Sequence, residues 1–297
     1  MIAVVLSLVG AIGLGATAVS GRAGMTKIHP YATIAISLVV GFLATLVVVL
    51  VVAFSDLWNV PLSVLPWIAA VGLVHFALGR SFGYLSLNVI GPSRTALFIS
   101  TQAPFAAFIA IAFTGESFRP AIAIGTAAVV VGLMLASGDS LTQGWRADRR
   151  YLLGCLTALA SGAGMGLGFV LARKTVGLYD SPMVISSLSM LAAILVVVPV
   201  VALAAARSRA VRSYDPRSMS FVVLSGLTSV VASLGQFFAL QRGDVVVVAP
   251  IMATFPLWTL LLSHAFIARL ERVTPRLVAG ALLAVVGVIA VALGGQL

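Results

Sequence analysis

Apolar runs of about twenty residues recur along the whole chain, separated by short polar turns, at 2–20, 31–54, 66–87, 92–113, 119–137, 151–172, 182–205, 219–240, 245–266 and 274–293. At a rise of 1.5 Å per residue, each run can cross a hydrocarbon core of about 30 Å. The pattern predicts an all-α polytopic membrane protein of ten transmembrane helices. Its short connections leave no room for an extramembrane domain. The first run has no basic residue ahead of it, Arg22 following instead, so it is expected to stay as a membrane helix rather than act as a signal peptide.

The ten runs divide into two copies of one unit. Glu116, Pro120, Gly125 and Gly132 recur as Glu271, Pro275, Gly280 and Gly287, each displaced by 155 positions. Proline in a first turn starts a helix, and glycines seven apart share a face that allows close helix contact. Gly15–Arg22 also lines up with Gly166–Arg173, Pro104 with Pro256, and Leu78-Gly79-Arg80 with Leu234-Gly235-Gln236. The expected division is a first five-helix repeat at 1–137, a linker at 138–150 and a second repeat at 151–297. An odd number of helices per unit makes the second unit enter from the opposite side. Such inverted-topology halves, with a site between them near the midplane, characterise alternating-access transporters.

Composition agrees. The chain is 61% hydrophobic and 9% charged, with mean hydropathy +1.16, too poor in charge for a soluble surface. Its net charge of +10 would suggest nucleic acid in a soluble protein. Here the basic residues sit in turns between apolar runs, where they read as topology signals and anionic-lipid contacts, so no nucleic-acid partner is expected. A single cysteine, Cys155, excludes an intramolecular disulfide and a cysteine metal cluster.

The stretches 87–120 (LNVIGPSRTALFISTQAPFAAFIAIAFTGESFRP) and 240–275 (LQRGDVVVVAPIMATFPLWTLLLSHAFIARLERVTP) resemble the two signature ends of EamA-type members of the drug/metabolite transporter superfamily. The resemblance covers nearly the whole chain. It implies ten helices, a central cavity and movement of small metabolites, without fixing the substrate. The tryptophan often found before the glycine of each first helix is here Leu14 and Met165.

The chemistry available within the membrane is narrow. All eight acids, Asp56, Glu116, Asp139, Asp148, Asp180, Asp215, Asp244 and Glu271, fall in turns or at helix ends. Small multidrug exporters of the same superfamily use a first-helix glutamate for protons or cationic drugs; this first helix offers only Ser7, Thr17 and Ser20, which argues against a lipophilic cation. What remains is Arg80, His75, Asn88, Gln102, Gln236 and hydroxyls, a set suited to an anion or a zwitterion's carboxylate. The planar arginine fork matches a carboxylate or phosphate through paired charged hydrogen bonds. An arginine inside a membrane segment marks a pathway or else snorkels to the interface. Tyr84 shares the helix face of Arg80, whereas His75, five residues back, is expected to point about 140° away on an α-helix. His75 could also be a packing residue, and His264 is expected at an interface. Gln102 and Trp258 lie within two residues of Pro104 and Pro256, which places them near mid-membrane as a polar contact and an apolar wall. The prolines themselves are expected to act as hinges or static kinks, and the glycines of the sixth helix as packing surface.

No paired carboxylates, metal-ligand spacing, nucleophile elbow or phosphate loop occurs, so neither an enzyme nor a cofactor is expected. The expected function is secondary transport of a small organic metabolite with an anionic group, an amino acid or organic acid, around a site lined by helices three, four, eight and nine. Substrate-binding candidates are Arg80, Tyr84, Gln102, Gln236, His75 and Trp258, with Pro104 and Pro256 as gating hinges. Export follows from the resemblance alone. Import or exchange of a sugar or phosphorylated metabolite is the alternative within this class, and a non-transporting scaffold or receptor the alternative outside it. The protein is expected in the cytoplasmic (inner) membrane as a monomer or weak homodimer. Thirteen of the eighteen basic residues fall in odd-numbered connections, which by the positive-inside rule places both termini outside; the resemblance favours cytoplasmic termini.

Overall fold

The computed structural model describes residues 1–114, 149–207, 215–267 and 274–296, with isolated positions between 124 and 135. The chain forms α1 (Ile2–Gly24) and α2 (Pro30–Val52), a short α3 (Phe54–Trp58), and then a rod made of α4 (Leu65–Val71), a π-helical stretch (Gly72–Gly79) and α5 (Arg80–Ile90). After it come α6 (Pro92–Ile99) and α7 (Gln102–Thr114). The second half contains α8 (Arg149–Leu178), α9 (Pro182–Arg207), α10 (Pro216–Arg242), α11 (Val245–Met252), α12 (Phe255–Ile267) and α13 (Pro275–Gln296).

Seven of the described spans are long and apolar enough to cross a membrane: α1, α2, Leu65–Ile90, α8, Pro182–Leu203, α10 and Val247–Ile267. The fourth expected segment is the interrupted pair α6 and α7, and the tenth is α13. Apart from those isolated positions, the expected fifth segment, together with the 138–150 linker up to 148 and the repeat markers Glu116, Pro120 and Glu271, lies outside the described residues.

Helix starts follow the chemistry of their first turns. Pro30, Pro92 and Pro216 occupy first-turn positions, where a missing N–H leaves no bond unmade. Asp215 caps α10 by accepting the Ser218 amide at 2.8 Å. Gly91 joins α5 to α6 with φ 83°, a conformation that a side chain would strain.

The packing repeats with the halves exchanged. α1 lies along α10, and the Leu65–Ile90 rod lies along α8. α2 packs on α10 as α9 packs on the rod, and α1 touches α11 and α12 as α8 touches α6 and α7. Both principal pairs are antiparallel. Gly10 faces Gly235, Gly13 faces Ala232 and Gly24 faces Val222 in the first pair, while His75 faces Gly168 and Val89 faces Gly154 in the second. A Cβ on Gly235 would lie 2.9 Å from the Gly10 backbone, and one on Gly164 only 3.4 Å from Gly79. The glycines thus let backbones meet where the apolar effect between helices is weak. Two bundles result, α1–α10 and rod–α8, with a cleft between them.

Candidate functional site

The cleft holds a small cavity of about 70 Å³. Its apolar wall includes Leu14, Phe76, Ile99, Phe169, Met252 and Phe255; its polar lining is Arg80, Tyr84, His75, Gln102, Gln236, Ser229, Ser233 and neighbouring threonines.

Arg80 is 6% exposed. Its Nη1 donates to Ser229 Oγ at 3.1 Å, and its Nη2 to Ser37 Oγ and Tyr84 Oη, both at 3.3 Å. The guanidinium also lies over the Tyr84 ring, 5.5 Å from its centroid. Tyr84 Oη is 2.6 Å from Ser225 Oγ, which itself donates to the Thr17 carbonyl. Arg80 therefore turns inward instead of snorkelling. Among the described residues no carboxylate approaches it, the ion pair present being Arg173–Asp244. Neutral hydroxyls hold a full positive charge, an arrangement that leaves the cation's field uncancelled in a low-dielectric site.

Several lining groups keep unused hydrogen-bonding capacity. Arg80 Nε, His75 Nδ1, both amide atoms of Gln102 and Gln236 Nε2 are buried without a protein partner. Buried polar atoms are ordinarily satisfied, and one cavity collecting five exceptions is arranged for something that supplies the missing bonds.

The expected 140° separation of His75 from Arg80 is corrected by the π-helical stretch. The Arg80 amide donates to the His75 carbonyl five residues back, and in that wider turn five residues come nearly full circle. Both side chains face the same cavity, where the His75 ring stacks edge-on against Phe169 at 6.2 Å.

The structure thus gathers Arg80, Tyr84, Gln102, Gln236 and His75. Trp258 does not line the cavity; it packs against Gly15 and Leu14. Asn88 also lies apart, accepting from Arg22 Nη1 at 3.3 Å, and His264 is exposed. The lining extends beyond helices three, four, eight and nine to α1 and α8, through Leu14, Thr17, Ala18, Met165 and Phe169. Leu14 and Met165, the positions at which the resemblance implies tryptophan, are part of that wall.

Each proline sits in the first turn of a helix that follows a break. α6 stops at Ile99 and α7 starts at Gln102; α11 stops at Met252 and α12 starts at Phe255. Lacking N–H groups, Pro104 and Pro256 cannot bond to carbonyls four residues back. Tighter bonds bridge both breaks, Ala103 N to Ser100 O at 3.3 Å and Leu257 N to Thr254 O at 3.0 Å.

Sequence reasoning missed Ser37, Ser225 and Ser229. A signal existed for the latter two: Ser225, Ser229 and Ser233 recur every four residues along α10, which places them on one face.

A model described as the EamA-like transporter family matches residues 1–138 and again 152–293. No curated protein matches the sequence significantly. A solved structure described only as "Crystal structure of protein" is similar in fold, with TM-score 0.71 and 20% identity, over 98% of this chain and 97% of that one.

Proposed function

The chain belongs to the EamA-like transporter family, and from that premise we propose that it is a secondary transporter of a small organic metabolite with an anionic group, an amino acid or organic acid, by alternating access. The observation that carries this reading is Arg80, a buried cation with no described acid beside it and an unpartnered Nε, facing the cavity between the two bundles. A carboxylate entering there would replace weak bonds to neutral hydroxyls with charge-assisted ones. Gln102, Gln236, His75 and Tyr84 would complete its polar contacts, and the apolar wall would take the rest of the molecule. One positive group among neutral donors balances a single negative charge better than a phosphate dianion, which favours this substrate class over phosphorylated metabolites. Rocking of the two bundles about the cleft would expose the cavity to either side, with the breaks at Pro104 and Pro256 as hinges. Export is the direction the family resemblance suggests.

The test is a panel of amino acids, organic acids, sugars, sugar phosphates and lipophilic cations, screened by thermal shift on purified protein and then by flux in reconstituted vesicles. Carboxylates are expected to stabilise and to be moved. A preference for lipophilic cations or neutral sugars overturns the anion reading, and binding without flux of any compound favours a receptor.

A further inference from the structure

Two fastenings cross the cleft, and they occupy corresponding positions in the two halves. Arg22, at the end of α1, donates from Nη1 to Asn88 Oδ1 near the end of α5. Arg173, near the end of α8, donates from Nη1 to the Leu240 carbonyl and pairs through Nη2 with Asp244 at 3.0 Å. Arg22 aligns with Arg173 in the repeat, and the spacing that relates Arg80 to Gln236 also relates Asn88 to Asp244. Each pair joins the α1–α10 bundle to the rod–α8 bundle.

Antiparallel packing puts the two fastenings at opposite ends of the cleft. The end of α1 meets the start of α10, where Gly24 faces Val222, whereas Leu240 and Asp244 lie at or just past the other end of α10. From the Val222–Ser225 level to Leu240 is roughly 25 Å at 1.5 Å per residue, close to the thickness of a hydrocarbon core. The cavity with Arg80 and Gln236 lies between them.

We propose that Arg22–Asn88 and Arg173–Asp244 are the two latches of the transport cycle, broken alternately, and that their unequal chemistry sets which side opens more readily. This rests on the alternating-access reading above. The Arg173 end is closed by an ion pair, a bond to a backbone carbonyl and a further contact from Gln241 Nε2 to Asp180. Among the described residues, the bond that Arg22 makes across the rim of its own end is to a neutral amide. One turn deeper, the Tyr84–Ser225 contact crosses the same gap. It belongs to the network around Arg80, so an anion drawing Arg80 and Tyr84 to itself loosens this end and not the other. The Arg22 end is therefore the side that opens more readily and responds to ligand. Arg173 and Asp244 are 39% and 77% exposed, so their attraction is modest and weakened by salt.

The experiment uses the full chain with Cys155→Ala and a probe cysteine at Ala18, which lines the cavity. A membrane-impermeant maleimide is applied to right-side-out and inside-out vesicles. Wild-type latches should give labelling mainly from one side. Asp244→Asn should raise labelling from the opposite, disfavoured side about two- to fivefold, as should added sodium chloride. Asn88→Asp should lower labelling from the favoured side by a similar factor, and the double exchange should reverse the preference. Both carboxyl–amide exchanges preserve side-chain shape at exposed positions, so folding is retained. An unchanged side preference, or both variants acting on the same side, overturns the latches even where flux persists. Altered sidedness in a protein that moves no compound supports the latches and counts against the transporter reading.

Discussion

The guanidinium of Arg80 and the hydroxyl of Ser229 meet at 3.1 Å across the cleft, so the buried charge of one repeat is held in part by the other. A ligand that takes this guanidinium competes with a contact between the two bundles. Binding and rearrangement then draw on the same few bonds.

Arg80→Gln should lower anion flux by about ten- to a hundredfold, the equivalent of one or two charged hydrogen bonds. Arg80→Lys should recover part of the rate, because an ammonium keeps the charge but loses the planar fork. Initial-rate flux in reconstituted vesicles, with melting temperature as the control for folding, checks both. Full flux in either variant would show that Arg80 is structural.

Gln102→Met should raise the melting temperature or leave it unchanged while reducing flux. Both amide atoms of Gln102 are buried without partners, so removing them relieves a desolvation cost in the empty protein. A binding residue shows this split between stability and activity, whereas a packing residue loses both together.

Gly235→Ala should destabilise the protein by about 1–3 kcal/mol, the usual range for overpacking. The added methyl would meet the backbone of Gly10 at 2.9 Å, and backbone cannot swing aside as a side chain can. Thermal unfolding in detergent measures the loss. Gly177→Ala is the control, since nothing lies within 4 Å of its Cβ position.

Pro104→Ala and Pro256→Ala should slow flux with little change in ligand-induced thermal shift. Restoring an N–H allows each break to close into continuous helix, which stiffens the segment without touching the cavity's polar groups.

Asp215 gives a pH dependence. Its carboxyl is held below the ordinary range because it accepts the Ser218 hydroxyl and amide, with Lys27 and Arg217 adding to the effect. A depressed folded-state value means that the capping contribution is complete above the unfolded value of about 3.9 and is lost as pH falls through the folded one. Asp215→Asn keeps an acceptor for the cap. Its melting temperature should lie below wild type at neutral pH, with the gap closing in acid.

Much of this was legible in the sequence because membrane helices are written in long apolar runs and because the chain repeats itself. Gly15 and Gly166, or Arg80 and Gln236, could be matched without coordinates. Arg80 was identifiable as the central group because it is the one arginine or lysine near the middle of an apolar run rather than at its edge. Its partners were harder to foresee, since serines in apolar helices also bond to their own backbone, as Ser229 does to Gly226 at 2.7 Å. Trp258 was misplaced because depth along a helix does not fix the direction in which a side chain faces. His75 was misdirected because a π-helical turn leaves no mark in the hydrophobic pattern.

That turn makes the cavity's chemistry depend on a count. Between Gly72 and Gly79 the backbone accommodates one residue more than an α-helix of the same number of turns would hold. Deleting one residue between His75 and Arg80 would allow ordinary α-helix with the same number of turns and leave the pair four positions apart, about 40° from each other on one face. Drawing the same residues into ordinary α-helix without a deletion would instead set them about 140° apart, and either His75 or the Arg80–Tyr84 pair would face away from the cleft. No side chain of the site would have been altered, yet histidine and arginine could no longer act on the same molecule.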